Sequence, residues 1–321
     1  MKICIVGPGS MPIPPRGWGA VEILIDDYRK TLQSLGHTVD IVNTRNPNLI
    51  VGMVNALSPD FVHIQYDEHA IVAPHLKTKS IAITSHYGYL EQPHRWDQSY
   101  RNIFWSFVNS GVNLFCLSSG IADMYRKAGV SEDRLQVVPN GVRCDLFRFN
   151  EECECPEESI YLAKVDPRKR QSLFQTIDGV VFAGNCVDPN FNTGSPRYLG
   201  EWSKETLYRD LTKYASLVLL SDGEAHPLVC LEAMSAGLGL VISEFAAANL
   251  DRSLPFIDVI PESKILDTEY VSRVLSENRQ KSLKCRPQIR RYAETFDWKQ
   301  IVSERYVPLV GSVLNENSRK L

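Results

Sequence analysis

Two glutamates, Glu224 and Glu232, stand eight positions apart in the stretch "SDGEAHPLVCLEAMSAG". Between them lie Pro227 and a short apolar run, and Gly237 follows. Proline suits the first turn of a helix, where its missing N–H leaves no bond unmade. Glu224 then belongs to a loop and Glu232 to the helix body. On one continuous helix the pair would lie about 12 Å apart and about 80° around the axis. The N–H groups of Leu228 and Val229 fall between the acids, at a helix start that favours phosphate through its free donors and its dipole. A ligand carrying a sugar, a diphosphate and a ribose fits this order, with hydroxyls at each end and phosphates in the middle. The plainer alternative is a glutamate that caps the helix and another on a solvated face.

Three further stretches carry possible chemistry. In "AKVDPRKRQ", Lys164 ends an apolar run and Lys169 follows a proline turn. Two cations after a strand can neutralise phosphates and a departing diphosphate, or form an ordinary solvated turn. In "PIPPRGWGAVE", Gly17 and Gly19 allow the backbone to approach a ligand closely, although the run is not GxGxxG and does not read as a dinucleotide fingerprint. In "TSHYGY", His86 follows an apolar run and is either a site residue or a structural histidine.

These residues need elements to hold them. In the first half, "KICIV", "TVDIV", "FVHIQY", "SIAITS", "NLFCLS" and "LQVVP" read as strands. Val21, Leu24, Ile25, Tyr28, Leu32 and Leu35 recur at helical spacing and end at Gly36. "SSGIADMYRKAG" opens on a serine cap and closes on glycine. Strands separated by helices imply parallel βαβ units. The acidic run "RFNEECECPEE", 148–158, reads as a linker. Alternation then restarts with "SIYLAKV", "GVVFAGN", "RYLGEW", a helix from about Lys204 to Tyr214, "LVLLS" and "LGLVIS". The tail "YAETFDWKQIVSERYVPLV" reads as helical. The expected organisation is two Rossmann-like, doubly wound parallel sheets facing a central cleft: an N-terminal domain over 1–147, a C-terminal domain over 148–295, and a helical tail over 296–321. Ligands of such sheets bind beyond the carboxyl ends of the strands.

Composition agrees with two soluble domains. The chain has 321 residues, 23% charged and 44% hydrophobic, with net charge -3. Nothing is basic enough for nucleic acid, and no apolar run reaches the roughly 18 residues of a membrane helix. The opening "MKICIVGPGS" reads as a strand rather than an export signal, so a cytoplasmic location and reduced thiols are expected for the eight cysteines. The C-x-C pair Cys153/Cys155 matches no common zinc spacing and reads as free thiols. The aromatic stretch "HRWDQSYRNIFWSFV", with Trp96, Tyr100, Phe104, Trp105 and Phe107, reads as helix core, with sugar stacking or lipid contact as the alternative.

Taken together, the motifs resemble those of the GT-B-fold retaining glycosyltransferases of family 4. The match to that family's helix-opening GG-x-E is Gly17-Trp18-Gly19-Ala20-Val21-Glu22, and to its GH-x-V, Gly36-His37-Thr38-Val39. Thr84-Ser85-His86 resembles T-x-H, and Ser118 through Asn140-Gly141 resembles S-x-x…V-x-x-N-G-V. Ala163-Lys164 through Lys169 resembles GR-x-x-x-K, the 221–237 stretch follows S-x-x-E-x-x-P-L-V-x-x-E-A-M-x-x-G, and Phe296-Asp297-Trp298 resembles F-x-W, which implies a helix over 296–321 crossing back onto the N-terminal domain. Lys164 stands where arginine is common, Ala163 and Ala225 where glycine is, and "EFAAANLD" where glycines follow the strand "VIS".

The resemblance implies a retaining, metal-independent transfer of a sugar from a nucleotide diphosphate sugar to a glycan, lipid-linked or other hydroxyl acceptor; its motifs do not separate UDP from GDP, and UDP is the donor expected first. It implies Glu224, His86 and Lys169 at the reacting centre. Gly17, Gly19, Lys164, Lys169, Glu224, Leu228, Val229 and Glu232 would hold the donor: Glu224 the sugar hydroxyls, Glu232 the ribose, the lysines the diphosphate and Gly19 the phosphate. No metal or other cofactor is implied, and peripheral membrane contact stays open. Two other classes share the fold: a non-catalytic nucleotide-sugar or glycan-binding protein, and a sugar-nucleotide epimerase, whose product forms without an acceptor.

Overall fold

The structure is a computed structural model that describes residues 1–17 and 19–319, with side chains described through Glu316. Trp18, inside the glycine loop, lies outside the described residues. The chain forms two compact units, 1–141 with 298–321, and 142–297.

The first unit runs β1 (Lys2–Gly7), α1 (Ala20–Ser34), β2 (Thr38–Asn43), α2 (Pro47–Leu57), β3 (Phe61–Ile64), β4 (Ile81–Ile83), α3 (Gln98–Asn109), β5 (Asn113–Cys116), α4 (Ser119–Lys127) and β6 (Leu135–Val137). Its six strands are parallel, in the order β2-β1-β3-β4-β5-β6. The second unit runs β7 (Cys155–Leu162), β8 (Val180–Ala183), α5 (Lys204–Asp210), β9 (Tyr214–Leu219), α6 (Leu228–Ser235), β10 (Gly239–Ser243), β11 (Ile257–Ile260) and α7 (Thr268–Glu294). Its five strands are parallel, in the order β11-β10-β9-β7-β8. Two parallel-sheet α/β units are the GT-B architecture. Strands such as β9 and β10 are buried at every residue, as helices on both faces of a parallel sheet require.

The chain then returns to the first unit as α8 (Trp298–Ile301), one π-helical turn over Val302–Tyr306, and α9 (Val307–Arg319). Trp298, Ile301, Val302, Tyr306, Val310 and Val313 join one core with Ile3, Ile5, Leu24, Ile25 and Tyr28. Tyr28 meets Trp298 at 4.6 Å and Tyr306 at 4.9 Å between ring centroids. Within the second unit, Arg286 of α7 is fully buried. Its guanidinium donates to the carbonyls of Asn150 (2.9 Å), Tyr214 (3.0 Å), Thr212 (2.6 Å) and Ala236 (3.3 Å), which satisfies the charge without a carboxylate.

Several elements differ from expectation. The acidic run expected as a linker contributes Cys155–Glu158 to β7, because the partner strand β9 already pairs with Cys155 through Tyr214. "RYLGEW" is no strand: Tyr198 makes a single bridge to Phe182, and Gly200 turns the chain away at φ 74°. The helix from Lys204 closes at Asp210, and Tyr214 instead opens β9. β11 and the 27-residue α7 were not set out from the sequence. In the aromatic stretch, Trp96, Tyr100, Phe104 and Phe107 are core, while Trp105 is 51% exposed. All eight cysteines are free thiols.

Candidate functional site

In the second unit the basic turn after β7 meets the loop after β9. Asp166 caps that turn, its side chain accepting from the Lys169 N–H at 3.0 Å. Arg170 closes it at φ 59°, a conformation uncommon outside glycine and asparagine. Its guanidinium holds Glu262 at 3.0 and 2.5 Å. Beneath the turn, the buried Tyr161 hydroxyl donates to the Lys169 carbonyl and accepts from the Leu220 N–H at 2.8 Å. The Asp222 N–H donates to the Arg168 carbonyl at 3.0 Å. The two loops are thus tied backbone to backbone.

This tie brings two predicted residues together. Lys169 Nζ donates to Glu224 Oε1 in an ion pair whose side chains are 11% and 9% exposed. Arg168 lies 3.5 Å from the same oxygen and donates to the Gly223 carbonyl. Sequence reading passed over Arg168; its place in the "RKR" run was the available signal. Lys164 is exposed, and its carbonyl accepts from Gln171 at 2.9 Å. Glu224 sits in the loop and Glu232 in α6, as read from the spacing. Pro227 occupies the N-cap position, one residue before the helix, and no side chain caps the start. The first-turn N–H groups of Leu228 and Val229 therefore lack intrahelical acceptors. Just behind them Cys230 is fully buried, and burial raises its thiol pKa well above the ordinary value. Burial likewise pushes the His226 imidazole down to about 4. Among the described residues no group of three or more His, Cys, Asp or Glu side chains gathers as a metal site.

The first unit holds the other predicted residues. Gly17 is exposed in the loop before α1, while Gly19 is buried at that helix's N-cap with φ 134°. A Cβ on Gly19 would stand 3.0 Å from Glu22 Oε2 and 3.2 Å from Met11 Sδ. Glu22 is buried and accepts from the Ser10 hydroxyl at 3.1 Å. Asn43, at the end of β2, accepts from the Gly9 N–H and donates to the Met11 carbonyl, both at 2.7 Å, which anchors the loop.

His86 follows β4 by three residues and is half-buried. Its Nε2 lies 2.8 Å from Gln65 Oε1, and its backbone N–H donates to Asp67 at 3.4 Å. Burial lowers the His86 pKa to about 4. Burial raises the Asp67 carboxyl to about 6, against the hydrogen bonds from Ser85, His86 and Tyr100. Gln65, His63 and Asp67 were not singled out from the sequence. In "FVHIQY", polar side chains at alternate positions of an otherwise apolar strand were the signal, because residues two apart share a face.

Residues 43–146 match the family model for Glycosyltransferase Family 4, less than half of the chain and almost wholly within the first unit. No curated relative matches the sequence. The fold is shared with solved structures. Sucrose-phosphate synthase from Thermosynechococcus elongatus aligns over 100% of both chains with TM-score 0.76 and 14% identity. Anabaena HepE in complex with UDP-glucose aligns over 99% of this chain and 100% of its own, with TM-score 0.71 and 14% identity. The lipopolysaccharide outer core galactosyltransferase WaaB aligns over 97% and 99%, with TM-score 0.67 and 16% identity.

Proposed function

Starting from a Glycosyltransferase Family 4 segment and a GT-B fold, we propose that this chain is a hexosyltransferase-type enzyme that moves a sugar from a nucleotide diphosphate sugar to a hydroxyl acceptor. The observation that carries the reading is the Lys169–Glu224 pair, flanked by Arg168 and standing before the uncapped start of α6. The UDP-glucose complex of HepE supports UDP as the donor base.

The roles follow from charge. As the sugar leaves, negative charge collects on the diphosphate, and fixed cations and N–H donors stabilise it most when water is excluded. Lys169 and Arg168 supply the cations, and Leu228 and Val229 the N–H donors. Arg168 is the second cation at Glu224, where its planar fork suits phosphate better than an ammonium does, and Lys164 is a further cation for the diphosphate. Glu224 accepts from sugar hydroxyls and Glu232 from the ribose. Gly19 brings the loop backbone to a phosphate, and His86 faces the sugar. With these groups meeting the charge, the transfer proceeds without a metal ion; retention at the anomeric carbon is carried over from the resemblance to family 4. Glycan, lipid-linked and protein-linked hydroxyls are the acceptors to assay.

The deciding experiment is a ligand-induced melting shift with UDP, GDP, ADP and their sugar conjugates, each with and without EDTA. A ligand at 100 times its dissociation constant adds about 2.7 kcal/mol to the native state. A shift with one base, unchanged by EDTA, is the expected result. No shift with any of them overturns the donor reading, and a shift abolished by EDTA overturns metal independence.

A further inference from the structure

His86 ends a line of hydrogen bonds whose directions are all set at its far end. The Phe115 carbonyl can only accept, so the Thr84 hydroxyl donates to it at 3.0 Å. That hydroxyl has one proton. Across its 2.8 Å contact with His63 Nε2 it therefore accepts, and His63 carries its proton on Nε2. His63 Nδ1 is then a lone pair, facing the Tyr306 hydroxyl at 3.2 Å and the Gln65 Nε2 amide at 3.1 Å, both donors. With its amide nitrogen turned to His63, Gln65 presents Oε1 to His86 Nε2 at 2.8 Å. An amide oxygen only accepts, so His86 must hold its proton on Nε2. His63 and Gln65 are buried, and burial lowers the pKa of His63 to about 3, so the line is uncharged near neutral pH. His86 Nδ1 has no hydrogen-bond partner among the described residues.

We propose that Thr84, His63 and Gln65 act as positioning residues that hold His86 as the Nε2–H tautomer, leaving its Nδ1 lone pair to accept a hydrogen bond from a ligand hydroxyl. The tautomer assignment stands on the hydrogen-bond line alone; that the hydroxyl belongs to a sugar rests on the proposed function. His86 is then an acceptor toward its ligand and not a donor to a phosphate. The returning helix takes part, since the Tyr306 hydroxyl is one of the two donors that share the His63 Nδ1 lone pair.

Long-range nitrogen-15 NMR of the full chain, labelled at histidine and free of any ligand, tests this directly. His86 Nδ1 should resonate downfield as an unprotonated nitrogen, with the proton on Nε2. Gln65→Leu removes the acceptor, and the two His86 nitrogen shifts should move toward each other as both tautomers populate. Gln65→Glu restores an acceptor at the same atom and should return the proton to Nε2. A wild-type His86 protonated on Nδ1 overturns the proposal, as does a Gln65→Leu spectrum with the wild-type pattern. If Gln65→Leu does not fold, the wild-type and Gln65→Glu spectra decide. Because no donor is present, the result is independent of whether the chain binds a nucleotide sugar.

Discussion

Lys169 and Glu224, 55 positions apart, form an ion pair at the carboxyl ends of neighbouring strands β7 and β9. Neither side chain exceeds 11% exposure. An ion pair this sheltered is costly to break from one side, because the remaining charge stays desolvated. The carboxylate keeps Arg168 at 3.5 Å if Lys169 is lost, so its loss is partly compensated.

Lys169→Ala should therefore lower stability by about 1–3 kcal/mol, less than the loss of an unassisted buried partner. It should lower turnover by about 10²–10³ through the lost charge on the departing diphosphate. Urea denaturation and donor turnover measured together separate the two effects. Lys169→Met with Glu224→Gln should recover stability but not turnover. Near-normal turnover in Lys169→Ala would remove Lys169 from the site.

Glu232 sits in the body of α6, and Glu224 in the loop before it. Glu232→Ala should weaken binding of the free nucleotide while leaving the preference among sugars on one nucleotide unchanged. Calorimetric titration with the nucleotide and two of its sugar conjugates reads both quantities. Unaltered nucleotide affinity would refute the ribose assignment.

Gly141 lies against the Trp298 indole. A Cβ there would stand 2.6 Å from Trp298 Cδ2 and 2.8 Å from Cε3. Trp298 is fully buried, so it has no room to yield. Gly141→Ala should cost about 1–3 kcal/mol by overpacking, and Trp298→Ala about 3–5 kcal/mol by cavity formation. Gly36→Ala is the contrast: nothing stands within 4 Å, and only its φ of 83° resists the change. Urea midpoints for the three variants check the order, and an unaffected Gly141→Ala would show that the indole shifts freely.

Acid should expose two opposed linkages in the first unit. Burial lowers His63 and His86 from 6.5 to about 3 and about 4. The unfolded chain then binds protons first, so their contribution is complete above pH 6.5 and is lost as pH falls toward 4. Asp67 is raised from 3.8 to about 6, so its contribution is present at low pH and lost as pH rises through 6. Wild-type stability should fall between pH 6.5 and 4, and Asp67→Asn should fall more steeply because the opposing term is gone. Urea midpoints across that range decide it; a shallower slope in the variant would contradict the burial of Asp67.

Periodicity and punctuation carried most of the fold. Every strand of the first unit and the helices α1 and α4 were legible, because a parallel sheet covered on both faces forces short apolar runs between capped amphipathic helices. The pairing of one glutamate outside α6 with another inside it was also legible, since Pro227 marks the helix start. What the sequence did not disclose depends on neighbours far along the chain. Cys155–Glu158 became strand only because β9 was there to pair with it. Arg168 rather than Lys164 reached Glu224 because Asp166 and Arg170 coil the basic turn, and turn geometry decides which of several adjacent cations points inward. The protonation of His86 is set at Phe115 through Thr84, His63 and Gln65, a line that exists only once three strands lie side by side. Local spacing determines elements and their faces; which polar groups meet, and which way each proton points, is decided by contacts that only the folded chain makes.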